Sequence, residues 1–175
     1  CQVNSAQVRK DLGYFGEFGV RGVGYDVRDL QFEIKKILAV NRKWNMCIAG
    51  VGNLGMALIQ HQNFPARGFH IVAAFDSDPK KVGESLPSGM VIRDISTLEK
   101  TVRDLEIEIG VIATPPSEAQ GVADLFLNAY VNAIINFSPT QIHVPECCMV
   151  ENIDFTIKLD ILTYKLKHEL DALRN

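Results

Sequence analysis

Asn45-Met46-Cys47-Ile48-Ala49-Gly50-Val51-Gly52-Asn53-Leu54-Gly55, answered 21 residues after Gly55 by Asp76 at the end of a second apolar run, decides the fold. A short, mostly apolar strand enters a Gly-x-Gly-x-x-Gly turn. Leu54, Ala57, Leu58 and Phe64 then carry one face of an amphipathic helix. Ile71-Val72-Ala73-Ala74-Phe75 is apolar without alternation, as a strand buried on both faces of a parallel sheet must be. In a dinucleotide-binding unit each part has a physical task. Gly50 permits the tight turn, Gly52 lets the backbone approach a pyrophosphate, and Gly55 lets the helix pack closely on the sheet. The first helical N–H groups, those of Asn53 and Leu54 among them, then face the phosphates, where the helix dipole favours negative charge.

Asp76 stands where a carboxylate accepts hydrogen bonds from the hydroxyls of the adenine ribose, with Ser77 beside it. A 2′-phosphate there meets like charge, so NAD(H) is favoured over NADP(H). Asp76-Ser77-Asp78-Pro79 also reads as a helix cap or an ordinary turn, and the two roles are compatible.

The composition fits a globular chain: 47% apolar residues among 175, with no apolar run near the ~18 residues of a membrane span. No basic leader with an apolar core is visible, so the expectation is a soluble, cytoplasmic protein without a membrane partner. The four cysteines, at positions 1, 47, 147 and 148, do not form a disulfide framework. Reduced thiols are the plain reading, and a redox switch at Cys147-Cys148 the alternative. Net charge is −3 but uneven: residues 1–45 carry +3 and the remainder −6. A basic end on an acidic body hints at a polyanion contact without establishing one.

From Asn45 to Pro139, short apolar runs (45–49, 71–75, 90–92, 107–113, 132–137) alternate with helix-like stretches (53–63, 79–83, 96–105, 117–130). Such alternation predicts an α/β fold, a doubly wound parallel sheet of Rossmann type with helices on both faces. Ligands on these sheets bind at the carboxyl ends of the strands. Thr114-Pro115-Pro116 and Asn136-Phe137-Ser138-Pro139 therefore fall near the cofactor, although turn chemistry alone also explains them.

Two segments flank this body. At the C-terminus, residues 150–157 alternate like a strand. Leu159, Leu162, Leu166, Leu170 and Leu173 then form a narrow stripe on a helix, suited to the chain's own sheet or to a partner subunit. At the N-terminus, Asn4 or Ser5 caps a short helix, with Gln7 completing a capping box. Val8, Leu12 and Phe15 form its apolar side, and Gln7, Arg9 and Lys10 lie elsewhere. Residues 16–27 hold four glycines among β-formers and read as a hairpin with Arg21 near its tip. Asp26 caps a linking helix bearing Leu30, Ile34, Ile37 and Leu38. Helix, hairpin and helix form the last part of a winged helix-turn-helix, whose helix reads the major groove and whose wing arginine enters the minor groove. A solvated basic helix and a plain hairpin is the competing description.

Ser5-Ala6-Gln7-Val8-Arg9-Lys10-Asp11-Leu12-Gly13-Tyr14-Phe15-Gly16-Glu17-Phe18-Gly19, followed by Arg21-Gly22-Val23-Gly24-Tyr25, resembles the DNA-binding signature of the Rex redox-sensing repressors. The likeness continues through Gly50 to Gly55, Phe75-Asp76-Ser77-Asp78-Pro79, Asn136-Phe137-Ser138-Pro139 and Val150 to Phe155. It implies a homodimeric repressor that binds operator DNA and releases it when NADH binds. Gln7, Arg9, Lys10 and Arg21 would contact DNA. Gly50, Val51, Gly52, Asn53, Leu54, Gly55, Asp76, Ser77, Thr114, Pro115, Asn136, Phe137 and Ser138 would hold NAD(H). The C-terminal helix, 158–175, would be exchanged between protomers through Leu159, Leu162 and Leu166. Phe155 would lie beside the nicotinamide, and Asp154 would sense domain orientation at the dimer interface. Family members often have Tyr where His61 stands. They also carry two further helices before the recognition helix, so this chain, starting at Cys1, is expected to bind NAD(H) yet grip DNA poorly. The domains implied are 1–44 for DNA and linker, 45–157 for NAD(H), and 158–175 for dimerisation.

The two redox forms differ at one ring, cationic in NAD⁺ and neutral in NADH. An apolar pocket disfavours the cation by desolvation. The rival readings are an NAD-dependent dehydrogenase and a CoA-binding module on the same fold. Against the former, only 36 residues follow Pro139, and His61, His70, His143 and His168 are scattered. No catalytic residue, metal site or substrate to be turned over is expected.

Overall fold

A computed structural model describes residues 4–14, 16, 25–37 and 42–172. The chain divides into two compact units, Cys1–Lys43 and Trp44–Asn175.

In the first unit, helix α1 (Ser5–Gly13) starts where the Asn4 side chain accepts the Ala6 N–H at 2.7 Å. The expected capping box is not formed. The Gln7 amide instead donates to Asp11 Oδ1 at 2.7 Å, one turn along the helix, where a charged acceptor makes the stronger bond. Helix α2 (Val27–Ile37) is capped by Asp26, whose Oδ1 accepts the N–H groups of Arg28 and Asp29. The predicted hairpin with Arg21, and the side chains of Phe15 and Leu38, lie outside the described residues.

The second unit opens with β1 (Trp44–Ala49), α3 (Asn53–Ile59), α4 (Asn63–Ala66) and β2 (Phe69–Asp76). β3 (Ile92–Asp94) leads through a 3₁₀ turn (Ile95–Thr97) into α5 (Leu98–Asp104). β4 (Ile109–Ile112), α6 (Pro116–Asn128), β5 (Ala133–Asn136), β6 (Met149–Asn152) and α7 (Phe155–Ala172) complete it. The six strands form one sheet in the order β3-β2-β1-β4-β5-β6, every adjacent pair parallel. The order reverses between β1 and β4, which puts the ligand crevice of such a sheet at their carboxyl ends.

Successive strand residues feed opposite faces. Cys47, Ala49, Phe75 and Ile112 pack with Val102 of α5 and with Ala119, Val122 and Phe126 of α6. Met46, Ile48, Ala74 and Val111 pack on the other side, against Met56, Leu58 and Ile59 of α3. Burial pushes the Cys47 thiol far up, as suits an inert core residue. Cys147 is exposed and Cys148 buried, and both are free thiols.

Three expectations need correction. Residues 79–83 form no helix. Asp78 carbonyl accepts from Lys81 and Val82 for one turn, and then Gly83, at φ +90°, turns its N–H to Ile92. The stretch 53–63 is broken: α3 ends at Ile59 and a separate turn, α4, starts at Asn63 and carries Pro65 in its first turn, where the missing N–H costs nothing. Residues 150–157 are not one strand. The segment pairs with β5 as a sixth strand, ends at Asn152, and turns helical at Phe155. There Asp154 accepts the Thr156 N–H at 2.8 Å and its hydroxyl at 2.6 Å, a capping pattern that outweighs the alternation.

Candidate functional site

Gly50 leaves β1 at φ +96°, its N–H donating to Phe75 O at 2.8 Å. A Cβ on it would lie 2.6 Å from the carbonyl oxygen of Ala113, and a Cβ on Gly55 only 2.0 Å from that of Gly50. These two glycines are demanded by the protein's own packing. Gly52 is different. It caps α3 and lines the cleft, and a Cβ there would meet no protein atom within 4 Å. Nothing within the chain fills the space beside residue 52, so the backbone there is open to a group that comes from outside.

The cleft above the reversal point has a volume of about 750 Å³, within the range of small-molecule and cofactor sites. Of the residues expected in the site, Gly50, Gly52, Asn53, Leu54, Asp76, Ser77, Thr114, Pro115 and Phe137 line it. Val51, Gly55, Asn136, Ser138 and Phe155 are not among the lining residues, and each has a different place. Val51 is buried and donates its N–H to Asp76 Oδ2 at 2.9 Å. Gly55 is the buried contact of α3 with Gly50. Asn136 is fully buried, its side chain bonded to Ser138, Thr140 and Asn152. Ser138 sits between the lining residues Phe137 and Pro139. Phe155 opens α7 with 63% of its surface exposed.

Asp76 fills the turn role read from its position. Its Oδ1 accepts the Asp78 N–H at 2.9 Å, the turn role, while Oδ2 accepts Val51 N–H and the Lys81 ammonium, each at 2.9 Å. An ionised carboxylate offers about four acceptor sites, so roughly one remains for a ribose hydroxyl. Burial pushes this carboxyl up. The Lys81 bond, the two backbone N–H groups and the Lys81 charge together outweigh it, and hold Asp76 below the ordinary value.

Thr114 and Ser138, at the carboxyl ends of β4 and β5, hold buried hydroxyl oxygens without a hydrogen-bond partner. A buried orphan hydroxyl costs roughly 1–3 kcal/mol. Its presence on two loops beside one cleft fits a polar ligand there.

Sequence reasoning missed Lys81, Glu118 and Ile95 in the lining, while Pro139 lines it as its loop position led one to expect. Lys81 had a readable signal, since a lysine five residues after the carboxylate, beyond a Pro-containing turn, can fold back on it.

Gln7, Arg9 and Lys10 are exposed on α1, and Leu159, Leu162 and Leu166 on α7. The apolar surface of α7 is broader than a single stripe, because Ile157, Ile161 and Tyr164 form a second exposed row.

Comparison with known proteins decides the family. The redox-sensing transcriptional repressor Rex of Syntrophobacter fumaroxidans is 57% identical over 95% of this chain and 79% of its own length. That of Carboxydothermus hydrogenoformans is 47% identical over 95% and 80%. The crystal structure of RSP, a Rex-family repressor, in complex with β-NAD⁺ and operator DNA is 33% identical, with a TM-score of 0.89 over 98% of this chain and 79% of that one. RSP in complex with β-NADH gives 32% and 0.83, over 99% and 81%.

The chain belongs to the Rex family of redox-sensing transcriptional repressors.

Residues 41–140 also match the CoA binding domain family, which covers most of the Rex sheet. The chain spans about four-fifths of the length of these Rex relatives. His61 packs its ring 4.6 Å from that of Phe64. Among the described residues no helix is long and apolar enough to cross a membrane, and no group of three or more His, Cys, Asp or Glu could hold a metal ion.

Two outcomes follow from this geometry. Gly52→Ala leaves the urea midpoint close to wild type, because its Cβ meets no protein atom. Gly55→Ala unfolds much more readily, by about 1–3 kcal/mol, as overpacking does. Equal stability losses in the two variants would contradict the assignment. Asp76, held low in the folded state, contributes stability that is complete above ~3.9 and is lost as pH falls through its folded value. The difference in urea midpoint between wild type and Asp76→Asn is therefore constant from pH 8 to about 5 and shrinks below roughly 4. A difference already lost between pH 7 and 5 would contradict this.

Proposed function

We propose that this Rex repressor reads the NADH/NAD⁺ ratio of the cytoplasm through the cleft at the β1–β4 reversal. The observation that carries the reading is one cleft that brings Gly50, Gly52 and the start of α3 together with Asp76. Gly50 to Gly55, with the first N–H groups of α3, cradle the pyrophosphate. Asp76 and Ser77 take the adenine ribose. Thr114, Pro115, Phe137 and Ser138 border the nicotinamide, and Asn136 holds their loop in place. RSP, which shares a third of the sequence, has been seen with β-NAD⁺ on operator DNA and with β-NADH, which supports the same pair of ligands here.

Phe155 is too exposed to enclose a ring within one chain. The reading is therefore a homodimer in which α7 is exchanged, Leu159, Leu162 and Leu166 are covered, and Phe155 closes the partner's nicotinamide side. Asp154 sits at that junction, as cap of α7. An apolar closure favours the neutral ring of NADH over the cation of NAD⁺. If only one dimer arrangement closes it, NADH shifts the dimer away from the form that holds DNA through Gln7, Arg9, Lys10 and Arg21. By reciprocity operator DNA weakens NADH binding by the same factor. A regulator of this kind turns over no substrate.

The match to the CoA binding domain family gives a second ligand to exclude. The adenosine of CoA carries a ribose phosphate, as does that of NADPH, and either brings negative charge to Asp76. Titration of the chain with NADH, followed by nucleotide fluorescence, shows saturable binding that NADPH or CoA displaces only at tenfold or greater excess. Displacement by CoA at equal concentration would overturn the proposal in favour of a CoA-binding module.

A further inference from the structure

Asn136 occupies a position that neither the cleft nor the sheet alone explains. It ends β5, is wholly buried, and uses its entire carboxamide. The nitrogen donates to Thr140 O at 2.8 Å and to Asn152 Oδ1 at 2.9 Å, and the oxygen accepts the Ser138 N–H at 3.0 Å. Its main-chain carbonyl accepts the Ile153 N–H at 2.8 Å. On one side, therefore, it grips the loop whose Phe137 and Pro139 line the cleft. On the other it grips the end of β6, two residues before the Asp154 cap of α7.

The second grip matters because β6 is paired on one side only, by its ladder with β5. It is an edge strand, with Met149, Glu151 and Asn152 exposed and Val150 half-buried. Asn152 lies directly opposite Asn136 in the parallel register. Both amide protons of Asn136 are spent, so Asn152 must present its oxygen, and the orientation of both amides is settled by the network. A carboxamide is planar and rigid. A small displacement of Ser138 therefore turns the same plane that holds Asn152, and hydrogen-bonded buried polar groups rigidify one another.

We infer that Asn136 and Asn152 are positioning residues that tie occupancy of the nucleotide cleft to the first turns of α7. The inference rests on the cofactor reading above but adds a connection that reading does not contain. Asn152 does not line the cleft and its side chain is bonded to Asn136, so its removal separates binding from transmission.

The test is hydrogen–deuterium exchange on the 175-residue chain with and without saturating NADH. In wild type, NADH slows exchange of the amides of residues 156–160 at least threefold. In Asn152→Ala that protection is lost while NADH affinity stays within threefold. Asn152→Asp retains an oxygen facing the Asn136 amide and restores at least half of the protection. Full protection in Asn152→Ala overturns the inference. So does a loss of NADH affinity in parallel with the loss of protection, which marks a merely structural residue. Wild type that binds NADH without protecting α7 overturns the connection alone. Wild type that takes up no NADH overturns the cofactor reading with it.

Discussion

The carbonyl oxygen of Gly50 lies in the space that a side chain on residue 55 would fill. That single contact fixes how close α3 comes to the end of β1, and much of the site follows from it. Because the helix starts against the strand, its first N–H groups open toward the crevice instead of away from the sheet. Gly50 is forced into a left-handed turn toward Ala113, which sets β4 and its loop at the cleft's far wall. Val51 is left pointing its N–H at Asp76, so the carboxylate that ends β2 is anchored to the loop that begins α3. Turn, helix and carboxylate form one rigid body before any ligand arrives, and preorganisation of this sort lowers the cost of binding.

The cleft is unequal at its two ends. The side proposed to take pyrophosphate and adenosine is complete within the chain, with the glycine turn, Asp76 and Lys81 each held by named bonds. The other side ends in loops with two orphan hydroxyls, while α7 has its described side chains exposed throughout. On the proposed reading, one chain grips the invariant part of the dinucleotide and a second copy completes the redox-active side, which suits a sensor.

Much of this was legible in the sequence because glycine and carboxylate requirements are local. Gly50, Gly55 and Asp76 are dictated by contacts that a strand–turn–helix unit always makes, and the buried strands announce themselves as unbroken apolar runs. What could not be read depends on the register of distant segments. Asn136 looked like a cofactor contact, and only its pairing with Asn152 across β5 and β6 shows a buried organiser. The sixth strand was visible as alternation, but the Asp154-Phe155-Thr156 cap that stops it competes with that pattern at the same residues. Lys81 escaped notice because its partner is set by a turn that was taken for a helix. The breadth of the apolar surface on α7 was present in the sequence, yet the leucine spacing drew attention to one row of two.

The account stands or falls on whether the protein feels the charge of the nicotinamide ring. Isothermal titration of one preparation with NADH and with NAD⁺ under identical conditions measures this directly. The account predicts that NADH binds at least tenfold more tightly, a difference of about 1.4 kcal/mol. Equal affinities for the two forms would contradict it.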